Sequence, residues 1–251
     1  MKRRPDSAVE RPNSSTLTAQ RGTLEFAFVP RPPPSALSTR PTWYFERQLW
    51  REGFANVAGA DEAGRGCLAG PVVAAAVILE PGEQIRGLRD SKLIEQERRE
   101  RIAKRIKKRA RAWAVGVCSP DEIDKLNILW ASLEAMRRAI NAMQIEADYV
   151  LVDGNQRIPG LACSCRAVVK GDARSRSVAA ASILAKTHRD ALMRRLHGQH
   201  PKYGWDTNVG YPTPEHYEAL DIHGPTALHR RSFRLSREDA PEVTPGLFEP
   251  V

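Results

Sequence analysis

The stretch of sequence that decides the fold is residues 57–79, VAGADEAGRGCLAGPVVAAAVIL. Two apolar, β-compatible segments, 57–61 and 71–79, flank the polar sequence DEAGRG at 61–66. A plain turn between buried strands does not need two adjacent acids, an arginine and two glycines. The pattern therefore predicts two strands joined by a connection that has a chemical role.

Strand and helix signals alternate along the rest of the chain. Further strands are predicted at 112–118, 148–152 and 165–169, and helices at 96–111, 129–143 and 175–196. Ser119 to Glu122 form a capping box with proline at the first helical position, and Thr213 with Pro214 opens a short helix. This alternation predicts a layered α/β domain.

Composition limits the class of protein. The chain has 251 residues and a formal net charge of +9, which favours an anionic partner such as nucleic acid. The longest apolar run, 67–79, contains a proline and is too short to span a bilayer, and the N-terminus lacks the apolar core of a secretory signal. The four cysteines lack zinc-site spacing. We expect a soluble cytoplasmic protein with reduced thiols, and no membrane partner.

The two ends of the chain differ from its middle. Residues 1–44 carry seven of the 18 prolines without sustained periodicity, which predicts a disordered arm rich in proline and arginine. The acidic, proline-containing stretch 236–251 predicts a flexible tail. Residues 45–235 remain as the folded domain.

Three aspartates end apolar runs. Asp61 and Asp153 each end an apolar strand and are followed closely by a glycine, and Asp172 ends a third such run. A lone Asp-Gly pair is usually a turn, but two such strand ends in one α/β sheet can bring carboxylates together. Carboxylates held close together repel unless a cation lies between them, and oxygen-only clusters select Mg²⁺ or Mn²⁺.

Asp61 and Glu62 pose a geometric problem, because neighbouring side chains of a regular strand point to opposite faces. Both reach one metal site only if the strand breaks there, and Gly64 and Gly66 supply the backbone freedom for such a break. The glycine spacing matches neither a dinucleotide-binding nor a Walker-type loop, which disfavours a nucleotide-binding site.

Several blocks of sequence resemble those of ribonuclease HII, the prokaryotic type 2 ribonuclease H. They run in order from about residue 45 to residue 234. The blocks are GADEAGRGCLAGPVVAAAVIL, DSK at 90–92, LVDG at 151–154, KGDARSRSVAAASILAKTHRD at 170–190, NVGYPTPEH and HRRSF at 229–233. Cys67 stands where proline is usual in this family, and the N-terminal arm has no part in the family pattern.

The resemblance implies a ribonuclease H-like α/β domain with a central mixed sheet flanked by helices, plus a small C-terminal helical segment. The implied reaction is hydrolysis of the phosphodiester 5′ of a ribonucleotide, with Mn²⁺ or Mg²⁺, leaving 3′-hydroxyl and 5′-phosphate ends. The implied substrates are RNA/DNA hybrids and duplex DNA with embedded ribonucleotides, and the implied roles are ribonucleotide removal from DNA and primer RNA removal. The family's four metal-site carboxylates fall on Asp61, Glu62, Asp153 and Asp172.

The resemblance also implies the substrate contacts. The backbone of Gly64, Arg65 and Gly66 would contact the ribose 2′-hydroxyl, and Tyr211 would pack on the sugar and bond that hydroxyl. Phosphate contacts align with Ser91, Lys92, Ser182 and Lys186.

Other readings stay open from the sequence. The segment 98–111, with nine Lys and Arg residues, is either a phosphate-binding surface or an ordinary solvated face. The histidines at 188, 197, 200 and 216 are expected to be structural. We expect a monomer, with GLF at 246–248 as a weak sliding-clamp motif. The rival functions are a DNA-directed nuclease of the same fold, such as a junction resolvase, and a non-catalytic nucleic-acid-binding module.

Overall fold

The computed structural model describes residues 40–88 and 91–236, with the side chain of Leu93 excepted. The strands are β1 (Val57–Ala63), β2 (Val72–Leu79), β3 (Ala110–Cys118), β4 (Tyr149–Asp153) and β5 (Ser164–Val168). The helices are α1 (Tyr44–Arg51), α2 (Gln96–Arg109), α3 (Pro120–Leu126), α4 (Ile128–Asn141), α5 (Gly171–Arg174), α6 (Arg176–His197) and α7 (Pro214–His223). Short 3₁₀ helices lie at Ser91–Leu93 and Pro201–Tyr203.

The five strands form one mixed sheet in the order β3-β2-β1-β4-β5. Strands β1, β2 and β3 pair antiparallel, whereas β4 pairs parallel with both β1 and β5. The α/β class and the mixed sheet flanked by helices are thus confirmed, with the strands and helices at their predicted places to within a few residues. The predicted capping box is present, since Ser119 and Glu122 bond reciprocally at the start of α3.

Helices cover both faces of the sheet. All eight residues of β2 are buried, which explains its continuous apolar sequence. Ala74 and Ala76 face the cluster that contains α4, and Ala75 and Val77 face the cluster that contains α6. A Cβ built at Gly59 of β1 would overlap the backbone of α6 at residues 177–178, so only glycine permits this close approach.

The packed region begins before residue 45. Trp43 is buried, and Thr42 forms a backbone bridge with Ser175, although the sequence prediction placed residues 1–44 in the arm. The buried carboxylate of Glu46 in α1 accepts hydrogen bonds from Ser175 Oγ (2.7 Å) and the Ser177 amide (2.9 Å). These contacts tie α1 to the N-terminus of α6.

The remaining predictions about the chain ends are not tested. The rest of the predicted arm, residues 1–39, and residues 237–251 of the predicted tail lie outside the described residues. In the part of the chain that is described, no helix is long and apolar enough to cross a membrane.

Candidate active site

The topology brings the acidic strand ends to one edge of the sheet. The last pair of the parallel β1–β4 ladder is Ala60 with Val152, so Asp61 and Asp153 follow it directly on neighbouring strands. Asp172 lies in α5, just after β5, and the Gly171 amide donates to Asp153 Oδ1 at 2.6 Å. Two strands and one short helix therefore bring three acidic residues to the same edge of the sheet.

Glu62 reaches this edge without the strand break that the sequence analysis expected. The β1–β2 ladder continues regularly through Asp61, Glu62 and Ala63. The chain turns only afterwards, at Gly64, whose φ is +96°. The correction has a physical reason: β1 is the central strand, and its antiparallel pairing to β2 satisfies the backbone up to the turn.

Burial and mutual repulsion disfavour the charged forms of these acids. The pKa of Asp61 is raised well above its usual range, first by burial and then by the charges of Asp153 and Glu62. Burial also raises the pKa of Asp153 and that of Glu62, where the Arg65 guanidinium acts in the opposite direction. Buried, mutually repelling carboxylates cluster at functional sites.

Three of the four acids accept a hydrogen bond from a residue close to them in sequence. Asp61 Oδ1 accepts from the Glu62 amide at 2.7 Å, Asp172 Oδ1 accepts from the Ala173 amide at 2.9 Å, and Glu62 Oε1 accepts from Arg65 at 3.1 Å. Among residues 40–88 and 91–236, no three acidic, histidine or cysteine side chains converge as a preformed metal cluster.

The donor set nevertheless fits a hard divalent cation. All four candidate ligands are carboxylates, which Mg²⁺ and Mn²⁺ prefer. Glu62 Oε2 is buried and has no hydrogen-bond partner, so one ligand atom is desolvated and uncompensated. A cation beside it would offset both this cost and the repulsion that raises the pKa of Asp61.

The turn that follows β1, at residues 64–67, is the second feature of the site. A Cβ built at Gly64 would overlap the Arg189 side chain. Arg65 is exposed and pairs with Glu62, and Gly66 is also exposed. The Cys67 amide closes the turn on the Gly64 carbonyl at 3.5 Å, and the side chain of Cys67 is fully buried.

Tyr211 lies beside this turn. The preceding residue, Gly210, accepts a hydrogen bond from the Leu68 amide at 2.8 Å. The ammonium of Lys186 lies 5.2 Å from the centroid of the Tyr211 ring. Burial raises the pKa of Tyr211 to about 12, so its hydroxyl keeps its proton at neutral pH and can donate a hydrogen bond.

Three of the four predicted phosphate-contact residues have partners within hydrogen-bond or ion-pair distance. Ser91 Oγ and Ser182 Oγ lie 2.9 Å apart, and both serines are nearly buried. Lys186 is 2.9 Å from Asp190 Oδ1, and Arg99 is 2.7 Å from Asp190 Oδ2. Lys92, next to Ser91, is exposed.

Several supporting residues were missed by the sequence analysis. Asp190, Arg99 and Arg189 are buried side chains that support the residues above, and Glu46 supports the start of α6. Arg189 and Asp190 end the quoted block 170–190, but no pattern within the sequence assigns them a role. Their roles depend on contacts with residues distant in sequence.

The basic helix and the histidines have diverse surroundings. Most basic side chains of α2 are exposed, while Arg99 is buried, so the two readings of 98–111 remain open. His216 is buried, His188 is exposed, and His197 lies 3.3 Å from Asp206. His200 contacts Trp205 edge-on.

The fold and the acidic site define a ribonuclease H-like nuclease, and comparison with known proteins gives the family. The ribonuclease HII family profile matches residues 58–236. Ribonuclease HII of Salinibacter ruber is 56% identical over 196 residues, covering 77% of this chain and 98% of that protein. Ribonuclease HII of Dechloromonas aromatica is 57% identical over 177 residues, covering 70% and 90%. The chain belongs to the ribonuclease HII family.

Solved structures agree with this assignment. Ribonuclease H2 of Pyrococcus horikoshii superposes with a TM-score of 0.62 at 27% identity, covering 73% of this chain and 96% of that chain. Ribonuclease HII of Archaeoglobus fulgidus, solved in complex with PCNA, gives a TM-score of 0.59 at 29% identity, covering 72% and 96%. The chain is thus an enzyme, a hydrolase and endonuclease of the ribonuclease H type.

Proposed function

We propose that this endonuclease hydrolyses the phosphodiester on the 5′ side of a ribonucleotide in RNA/DNA hybrids and in duplex DNA with embedded ribonucleotides, leaving 3′-hydroxyl and 5′-phosphate ends. The observation that carries the proposal is the placement of the acidic edge beside the Gly64–Gly66 turn and Tyr211. A site for phosphodiester chemistry and a site for reading a sugar are then adjacent.

Asp61, Glu62, Asp153 and Asp172 would hold Mg²⁺ or Mn²⁺. A bound divalent cation supplies activation of the attacking water and stabilisation of charge on the phosphoryl and leaving oxygens. The protein's own part is to fix the carboxylates: the β1–β4 pairing places Asp61 and Asp153, and the Gly171 amide orients Asp153.

The substrate is held by groups of two kinds. Lys186 and Lys92 bring positive charge for the phosphate backbone, and the salt bridge to Asp190 orients Lys186. Ser91 and Ser182 contribute hydroxyls beside them. The turn at Gly64, Arg65 and Gly66, in which Arg65 and Gly66 are exposed, offers backbone groups to the 2′-hydroxyl, which is the group that distinguishes RNA from DNA.

Tyr211 completes the recognition of the sugar. Its ring packs on the ribose, and its protonated hydroxyl donates to or accepts from the 2′-hydroxyl. The biological roles that we propose are removal of ribonucleotides from DNA and of primer RNA.

The test is cleavage of an end-labelled duplex that contains one ribonucleotide, with and without Mg²⁺ or Mn²⁺. We expect a single cut 5′ of the ribonucleotide, dependent on the metal, with product ends assigned by phosphatase treatment and ligation. An all-DNA duplex and a four-way DNA junction serve as controls. Cleavage of the junction, or of the all-DNA duplex at an equal rate, would refute the proposal.

A sliding clamp is a further proposed partner. The A. fulgidus relative was solved in complex with PCNA. The candidate motif of this chain, GLF at 246–248, lies outside the described residues. Analytical gel filtration of the full chain with a bacterial clamp, beside a variant with Leu247 and Phe248 changed to alanine, tests the contact and also reports whether the chain alone is a monomer.

A further inference from the structure

Two adjacent residues, His229 and Arg230, lie behind the two elements to which the proposed function assigns recognition of the ribose. Both are buried, with 2% and 0% exposure. The segment that carries them pairs with the chain just after the turn: Arg230 N–H donates to Leu68 O at 2.9 Å, and His229 forms a bridge with Ala69.

Arg230 binds the carbonyl groups of the turn. Its Nη2 donates to Gly64 O at 2.7 Å, its Nη1 to Arg65 O at 2.9 Å and its Nε to Gly70 O at 3.0 Å. The guanidinium is a planar fork with fixed donor directions, so three carbonyls are held in one arrangement. Burial lowers the pKa of Arg230 to about 10, which leaves it charged at neutral pH.

The hydrogen bonds from Arg230 also determine the orientation of the amide groups in the turn. A peptide unit is planar, and no cis peptide bond occurs in the described residues, so each C=O and the following N–H point in opposite directions. When Arg230 draws the carbonyls of Gly64 and Arg65 inward, the amides of Arg65 and Gly66 are directed away from it. These amides belong to the exposed turn that is proposed to meet the 2′-hydroxyl.

His229 reaches Tyr211 through His216. The Thr226 amide donates to His229 Nδ1 at 3.0 Å, so His229 carries its hydrogen on Nε2. That hydrogen points at His216 Nε2, 3.2 Å away. His216 Nδ1 lies 2.9 Å from Tyr211 O, and since a carbonyl only accepts, His216 carries its hydrogen on Nδ1.

The two tautomers are mutually consistent. His216 Nε2 accepts from His229 and also from Trp205 Nε1 at 3.1 Å. Burial lowers the pKa of both histidines, that of His229 to about 4, so the relay is neutral at physiological pH. The backbone of Tyr211 is therefore fixed by a chain of donors that begins at Thr226.

We propose that His229 and Arg230 are positioning residues for ribonucleotide selectivity: Arg230 orients the Gly64–Gly66 turn, and His229 fixes Tyr211 through His216. The inference rests on the proposed function, because it assumes that the turn and Tyr211 contact the ribose. One short C-terminal segment then sets both halves of the sugar site. Arg230 and His229 make none of these hydrogen bonds to the four acids, and the nearest link is the ion pair of Arg65 with Glu62, so we expect metal affinity to change little.

The test compares Arg230→Lys with Arg231→Lys, a matched substitution at the exposed neighbouring residue. The dissociation constants for a single-ribonucleotide duplex and an all-DNA duplex are measured in Ca²⁺, with Mn²⁺ affinity and urea unfolding alongside. We expect Arg230→Lys to lower the preference for the ribonucleotide duplex about tenfold, because an ammonium cannot replace three directed donors. All-DNA and Mn²⁺ affinities should stay within twofold, and Arg231→Lys should match the wild type.

His229 gives an independent pair of variants. His229→Gln keeps an N–H donor near the position of Nε2, whereas His229→Leu removes it. We expect His229→Gln to retain most of the selectivity and His229→Leu to lose it, with His223→Gln as the exposed control. The ¹⁵N shifts of the His216 ring should report the Nδ1–H tautomer in the wild type and in His229→Gln.

Either of two results would overturn the inference. One is unchanged selectivity in both Arg230→Lys and His229→Leu; the other is a parallel loss of all-DNA affinity, Mn²⁺ affinity and stability, which indicates a merely structural role. If Arg230→Lys does not fold, the His229 pair decides. If the wild type itself does not prefer the ribonucleotide duplex, the proposed function has failed, which is a different result from either of these.

Discussion

Replacing Asp153 by asparagine should abolish cleavage and yet stabilise the metal-free protein. The change removes one charge from the acidic edge and keeps an oxygen that can accept the 2.6 Å hydrogen bond from the Gly171 amide. The shape of the site is therefore preserved. What changes is the repulsion on Asp61, whose raised pKa owes its second-largest cause to Asp153.

The size of the effect follows from the charges involved. Removing one like charge from a buried carboxylate group should raise the free energy of unfolding by about 1–3 kcal/mol in EDTA. In the wild type, Mn²⁺ at about a hundred times its dissociation constant should raise the free energy of unfolding by roughly 3 kcal/mol, and it should raise that of the variant much less. Cleavage should fall by about 10³-fold or more, because metal activation contributes several kcal/mol to the transition state.

Urea unfolding at pH 7.5, in EDTA and in Mn²⁺, measures the first two effects, and the single-ribonucleotide duplex measures the third. Asp221→Asn changes the same charge on the exposed face of α7 and should leave all three readouts near the wild type. A variant that is less stable than the wild type in EDTA, or that keeps near-normal turnover, would show that Asp153 is not part of a repelling metal site.

Three further predictions test the sugar site and the residues that support it. Tyr211→Phe removes only the hydroxyl and should lower the cleavage rate on a single-ribonucleotide duplex about tenfold. Tyr211→Ala should lower this rate further, and neither variant should change binding to an all-DNA duplex. A normal rate for the alanine variant would show that Tyr211 is only a packing residue. Gly64→Ala places a Cβ against Arg189 at a φ of +96° and should lower the free energy of unfolding in urea by about 2–4 kcal/mol. At Gly66 a Cβ meets nothing within 4 Å, so Gly66→Ala should unfold like the wild type. The pKa of His229 lies below that of an unfolded histidine, so the unfolded chain takes up a proton first as the pH falls. The free energy of unfolding should therefore decrease between about pH 6.5 and pH 4, by about 3 kcal/mol for this group. Urea unfolding across this pH range should show a smaller decrease for His229→Gln, and an identical decrease would contradict a buried, neutral His229.

The sequence predicted the features that depend on local pattern. Strands and helices were predictable because apolar periodicity and capping residues act over a few positions, as Ser119 shows at the start of α3. Asp61 and Asp153 were predictable as neighbours because parallel strands bring equivalent ends together. The convergence of these acids needed no knowledge of tertiary packing beyond the α/β class.

Features that depend on long-range contact escaped prediction. The expected break at Glu62 was wrong because pairing with β2 keeps β1 regular as far as Ala63, and the chain turns only at Gly64. The roles of Arg230 and His216 were hidden because a buried arginine or histidine carries no sequence signal until its acceptors are known. The packing of Trp43 was missed because the proline-rich sequence before it dominates local composition.

Helix α6 couples the positions of several residues of the proposed site. It carries Ser182, Lys186 and Asp190 at steps of four residues, on one face of a single rod. Its height on the sheet is set by the contact at Gly59 and by the grip of Glu46 on its first turn. A substitution at Gly59 or Glu46 that shifts or rotates α6 would displace Ser182, Lys186 and Asp190 together. A second substitution at only one of these three residues could not restore the site.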